Sequence, residues 1–191
     1  MSDAAAQRRA RQTITNLVLA LGASVGLVVA LVMIVPRDDT SLIKKVDYVS
    51  VAKDAADSTS RPVIVPTIKS GWWCNSARWQ ASPGDGTDAS WYAGFVGPKN
   101  EYIGMTQTFT TNPTWLAIQL SGLKQTGSMK TGARSWQVWQ TKEVHVPAKT
   151  KDYMLVTGQG ADTVLIYGTA SESQMKAFAN GVADQIATLY P

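Results

Sequence analysis

A chain of 191 residues with 18 Lys and Arg against 14 Asp and Glu looks basic, but the surplus is divided. Arg8, Arg9 and Arg11 against Asp3 put +2 before residue 13, and the other 15 cations against 13 anions leave only +2 over the rest, with no basic run longer than Lys44-Lys45. That pattern excludes a nucleic-acid partner, and a single cysteine, Cys74, excludes an internal disulfide and lies too far along the chain for a lipoprotein anchor.

Between Arg11 and Arg37 there is no charged residue, and residues 13–35 read TITNLVLALGASVGLVVALVMIV. At about 1.5 Å per residue such a helix covers roughly the 30 Å of a bilayer's hydrocarbon core. The three arginines before it are the positive-inside signal. They predict a cytoplasmic tail over residues 1–12, a single transmembrane helix over 13–35 and an extracytoplasmic remainder. A cleaved signal peptide is the rival reading, but its apolar core is shorter and ends in a small-x-small site, whereas this run ends Val32-Met33-Ile34-Val35-Pro36-Arg37. Retention in the cytoplasmic membrane is therefore expected. Gly22 and Gly26 form a G-x-x-x-G row that would suit a weak homodimer through the span; glycine is also common in spans for its own sake.

Residues 36–61 form a stalk or linker. Leu42, Ile43, Val46 and Val49 stand at near-helical spacing with Ala52, Ala55 and Ala56 following, and two readings are open, a modest helix or a flexible tether. Residues 62–191 are the main domain. Its first piece, Val63-Ile64-Val65, is bounded by Pro62 and Pro66, which limits it to an edge strand or an irregular arm. Strand signals follow at 78–81, 91–96 and 101–109, the last two joined by Gly97-Pro98-Lys99-Asn100. In the third, Ile103, Met105 and Phe109 alternate with Tyr102, Thr106 and Thr108, as a sheet with one packed face requires. Asn112-Pro113 then starts a short helix ending near Gly122.

Further strands are expected at 135–141, which 143–146 either extends or follows, and at 153–157 and 163–169, the last two a hairpin around Gly158-Gln159-Gly160. A final helix begins at Ser171 with Gln174 as its capping-box partner and carries Met175, Phe178, Ala179, Val182, Ile186 and Leu189 on one face. A shift of 61 residues lays Tyr92 on Tyr153, Gly97 on Gly158, Ile103 on Val164 and Met105 on Ile166. The expected fold is α+β: a largely antiparallel sheet, helices on one face, and two pseudo-repeated strand-strand-strand-helix units.

Motifs for chemistry are sparse. His145 has no G-x-S-x-G or cysteine motif to serve, and one His with one Cys makes no metal site. Asp85-Gly86-Thr87-Asp88 lacks the ligand spacing of a calcium loop, and Gly158-Gln159-Gly160 sits between strands rather than before a helix, so neither a metal nor a phosphate cofactor is expected. Glu101, Glu143, Asp152 and Asp162 fall at strand ends or turns, and an enzyme would need two of them to converge. All seven tryptophans lie between Trp72 and Trp139. Core packing is their first role, but the adjacent pair Trp72-Trp73 cannot both point inward from a strand.

Several blocks together resemble a known family: Val46-Asp47-Tyr48 after the span, Gly71-Trp72, then Trp91-Tyr92-Ala93-Gly94-Phe95-Val96-Gly97-Pro98 with Glu101-Tyr102-Ile103 and Gln107-Thr108, then Trp136-Gln137-Val138-Trp139 and Val164 to Ala170. The chain resembles the actinobacterial membrane proteins grouped as domain of unknown function 4245. The most specific part is W-x-x-G-x-x-x-P-x-x-E-Y with the glutamine after it. The resemblance implies an exported, membrane-anchored domain of the cell envelope and brings no established activity or catalytic residues; Cys74 is not part of its pattern.

Two function classes follow. The first is a non-catalytic binding or accessory module contacting an envelope or membrane-complex protein, and the alternative is an envelope hydrolase or transferase using carboxylates. For a binding module the expected surface residues are Trp72, Trp91, Tyr102 and Trp136, with Tyr102 on the sheet face that the helices leave open; for Trp91, an even count before Phe95, the core is the alternative place.

Overall fold

A computed structural model describes residues 3–34, 44–82, 88–143 and 147–190. The chain divides into two units, Met1–Leu42 and Ile43–Pro191. The first is one helix, α1 (Asp3–Ile34), whose stretch Arg11–Ile34 is long and apolar enough to cross a membrane. The helix starts before the apolar run and includes the arginine tail. Within the span the hydroxyls of Thr15 and Ser24 donate back to Arg11 O and Ala20 O at 2.9 and 3.0 Å, so they need no outside partner.

The second unit begins with α2 (Tyr48–Thr59), capped by Asp47, whose carboxylate accepts from the Val49 and Ser50 amides. Ala52 and Ala55 are fully buried against the sheet. Of the two readings of the stalk, this stretch is thus a helix. It belongs to the folded unit rather than to a linker, because its alanine stripe lets it pack closely where a longer side chain would not fit. After it, residues 62–69 run as an extended arm without strand pairing. Gln107, buried in the sheet, accepts from Ile64 N at 2.8 Å and donates to Pro62 O at 3.0 Å, supplying the partners that a ladder would have supplied.

The sheet contains β1 (Trp73–Gln80), β2 (Ala89–Val96), β3 (Tyr102–Phe109), β4 (Leu123–Thr131), β5 (Arg134–Thr141), β6 (Tyr153–Gln159) and β7 (Asp162–Gly168). Their order is β1-β2-β3-β7-β6-β5-β4, and every neighbouring pair is antiparallel. Between strands lie α3 (Pro113–Gln119), and after them α4 (Glu172–Leu189). Both helix starts are those expected. Asn112 Oδ1 accepts from the Thr114 and Trp115 amides with Pro113 beside it, and Ser171 and Gln174 complete a capping box.

One face of the sheet carries Trp91, Ala93, Phe95, Ile103, Met105, Leu155, Val164 and Ile166 and is covered by α2 and by the stripe of α4, Met175, Phe178, Ala179, Val182 and Ile186. The expectation that all helices share one face is corrected here. Trp115 and Leu116 of α3, with Leu120 at its end, pack on the opposite face, over Met154, Val156 and Leu165. The reason lies in β6 and β7: both carry consecutive apolar residues, Met154-Leu155-Val156 and Val164-Leu165-Ile166, and such strands must be covered on both sides.

Strand β4 was not among the expected elements. It is an edge strand, mostly exposed and bulged between Gln125 and Gly127, so its sequence LKQTGSMKT has no apolar alternation to detect. Residues 144–146, expected as a strand and holding His145, lie outside the described residues, as do residues 85–87 of the acidic turn.

Candidate functional site

Half of the sheet's second face, over β1, β2 and β3, has no helix packed on it among the described residues. Its residues follow from the register. Gly94 stands opposite Gly104, which stands opposite Tyr167; Arg78 stands opposite Tyr92, which stands opposite Thr106; and Tyr102 stands opposite Val96. The glycine pair leaves a hollow, and the tyrosines lie down into it. A Cβ on Gly94 would come within 2.6 Å of the Tyr102 hydroxyl, 2.7 Å of the Tyr92 hydroxyl and 2.9 Å of Asn75 Oδ1, and one on Gly104 within 2.8 Å of the Tyr167 ring.

The hydroxyls of Tyr92 and Tyr102 share a hydrogen bond, and those of Tyr167 and Thr106 approach to 3.5 Å. The Arg78 guanidinium lies 4.0 Å above the Tyr92 ring, a cation–π arrangement that holds a positive charge on an otherwise neutral face. Asn75, in the bulge of β1, keeps its side-chain oxygen buried with no hydrogen-bond partner among the described residues. Burial, and then the bond with Tyr92, push the Tyr102 phenol well above its ordinary pKa. Burial does the same to Tyr167, against the opposing pull of the Thr106 bond. These phenols are therefore neutral donors and acceptors around neutral pH, not bases.

The structure separates the four aromatic residues expected to form one surface. Tyr102 lies on the open face as reasoned, partly exposed. Trp136 does not join it: it is fully buried on the helix-covered face, with Nε1 donating to Thr131 Oγ1 at 2.7 Å. Trp91 is likewise core, with Nε1 donating to Ile64 O at 2.9 Å, so it locks the arm to the sheet. Both indoles place their one polar atom on an internal acceptor, which is what lets tryptophan be fully buried. Trp72 lies elsewhere again, flat against Gly97 at the β2–β3 turn, where an added Cβ would meet its ring at 2.9 Å. Gly22 and Gly26 have open space over them on α1.

Tyr92, Tyr167, Arg78 and the glycines escaped the sequence reading. A signal was present: Tyr92-x-Gly94 and Tyr102-x-Gly104 repeat one pattern on two strands of a hairpin, and such a repeat puts aromatics and gaps on one face.

Carboxylates that are buried have structural partners. Asp162 pairs with Arg61 at 2.5 Å and accepts from Thr110 N at 3.0 Å, and Asp88 accepts from Asn112 N at 2.7 Å. Glu101 accepts from the Gln174 amide and from Lys99 N, bonds that hold its carboxyl below the usual range. Cys74 is buried, its thiol donating to Ser76 O at 3.3 Å and pushed up by burial. Among the described residues no group of three or more His, Cys, Asp and Glu is placed to hold a metal ion.

This geometry gives a role to each part of the motif singled out from the sequence. Trp91 packs the core, Gly94 floors the hollow, Pro98 lies against Gly71, Glu101 ties the turn to α4, and Tyr102 lies in the hollow. The family model described as protein of unknown function (DUF4245) matches residues 9–182, from the arginine tail to the last helix. The chain belongs to that family. No curated protein and no solved structure matches it.

Proposed function

We propose that this family member is a single-pass protein of the cytoplasmic membrane, N-terminus inside, whose extracytoplasmic unit is a non-catalytic binding or accessory module of the cell envelope, as the resemblance to actinobacterial membrane proteins suggests. The observation that carries the binding reading is the open half of the sheet. A face left without a helix, floored by paired glycines and furnished with three mutually supported tyrosines and Arg78, offers rigid amphipathic contact area at little entropic cost, the composition found at protein-binding hot spots. The occupant is another envelope or membrane-complex protein. Of the carboxylates an envelope hydrolase or transferase would use, Asp162 is engaged by Arg61 and Thr110 N and Glu101 by Gln174 and Lys99 N, which favours the binding reading.

The fold is also read as duplicated. The 61-residue shift carries β1 onto β5 and keeps Ile103 and Val164 on the same face, in support of a two-fold between β3 and β7. α3 and α4, on opposite faces, depart from it.

A photo-crosslinking residue at position 78 or 80 of the full-length protein in native membranes tests the surface, with position 118 on exposed α3 as the control. One constant protein adduct at 78 and 80, absent at 118 and lost in Tyr102→Ala with a melting temperature nearly unchanged, is expected. Equal adducts from all three positions, or a Tyr102→Ala variant that loses stability but keeps the adduct, would refute the surface.

A further inference from the structure

Beside the first turns of α4 and on the helix-covered side of the sheet, a cleft of about 340 Å³ is left open. Ile103 and Phe178 lie buried at its base, Ile68 and Trp72 form its sides, and Ala177 and Lys69 stand exposed at its rim. A helix seated on its own sheet normally fills the space between them. Local chemistry keeps it open. Trp72 N donates to Lys69 O at 3.0 Å across a turn whose Gly71 has φ +86°, a conformation that favours glycine, and Gly97 leaves room for the indole to lie flat. The turn thereby makes a wall of Trp72 and sets Lys69 at the mouth.

The geometry points to a single-chain anionic amphiphile as the occupant: one acyl chain along Trp72, Ile68 and Phe178, its carboxylate at Lys69. The volume stands at the small end of ligand pockets, enough for one slender chain and not for a two-chain lipid. The lining is aromatic and aliphatic at depth and polar at the rim, the order an amphiphile requires. Charge supports the sign of the head. Lys69 has no carboxylate within ion-pair distance among the described residues, whereas the nearby Glu101 is already held by Lys99 N and Gln174. This site is distinct from the tyrosine face and does not rest on it.

The test uses full-length protein in zwitterionic nanodiscs and a twelve-carbon fatty acid with a photoreactive diazirine in its chain, crosslinks being mapped by peptide mass spectrometry. Adducts in the peptides holding Trp72 and Ala177-Phe178 are expected. Ala177→Trp, an exposed helix position that accepts bulk without unfolding, should reduce them at least tenfold. Lys69→Glu should reduce them about fivefold, and should raise capture of the same chain carrying a trimethylammonium head. Adducts confined to α1, or no effect of Ala177→Trp in a folded variant, would overturn the site, and equal capture of both heads by the natural chain would overturn its anionic specificity.

Discussion

Glycines in this sheet look alike in sequence and differ sharply in consequence. A Cβ at Gly168 would sit 1.9 Å from Tyr102 O, a backbone atom that cannot turn aside, whereas Gly127 in β4 has nothing within 4 Å. Gly168→Ala is therefore expected to lose about 3 kcal/mol in urea unfolding, and Gly127→Ala to change stability by less than about 0.5 kcal/mol. The tyrosines of the open face add a pH signature. Tyr102 and Tyr167 titrate above their ordinary value, so the folded state holds their protons longer than the unfolded chain does. Stability from these groups is full below about pH 10 and is lost as pH rises beyond it, because there the unfolded state binds fewer protons. Urea midpoints measured from about pH 8 to 11 should fall in the upper part of that range, and Tyr102→Phe should flatten the fall; an unchanged slope would mean the phenol is not desolvated.

At the scale of elements, legibility followed the physical signal. α4 is readable in full because its capping box and its stripe agree, and β3 because Ile103, Met105 and Phe109 alternate with Tyr102, Thr106 and Thr108, Gln107 being the one polar break on the apolar face. β4 was silent because an exposed edge strand is specified by its ladder with β5 and not by side-chain pattern. α3 packs on the face opposite to the expected one because the double burial of β6 and β7 shows in sequence only as consecutive apolar residues, which periodicity alone does not assign to a face. Alternation puts Tyr102 on its face, but it cannot tell that Trp136, fully buried on β5, is core: alternation places a residue on a face and does not say which face is covered. α2 illustrates the cost of reading composition as architecture. Its buried alanines make it part of the folded unit, so Ala55→Leu should overpack the helix against the sheet and cost about 1–3 kcal/mol, a loss that a tether would not show in thermal unfolding.

For the whole molecule, the two faces of one sheet divide the work, and a pair of aromatic substitutions separates them. Trp136→Ala removes a fully buried indole and strands the Thr131 hydroxyl, itself buried, that had accepted from it. Its expected cost is about 3–5 kcal/mol. Tyr102→Ala removes a partly exposed ring whose chief neighbours are the side chains of the open face. The proposed attachment to the membrane adds its own test at this scale. Arg11–Ile34 has the length and hydropathy both of an anchor and of a signal sequence, and only processing distinguishes the two. If the helix is retained, the protein runs at its full mass, stays in the membrane fraction after carbonate washing, and loses its folded unit to protease added outside intact spheroplasts. A shortened form released from the membrane would make the helix a signal sequence, and a protease-protected unit would reverse the orientation that the arginine tail implies.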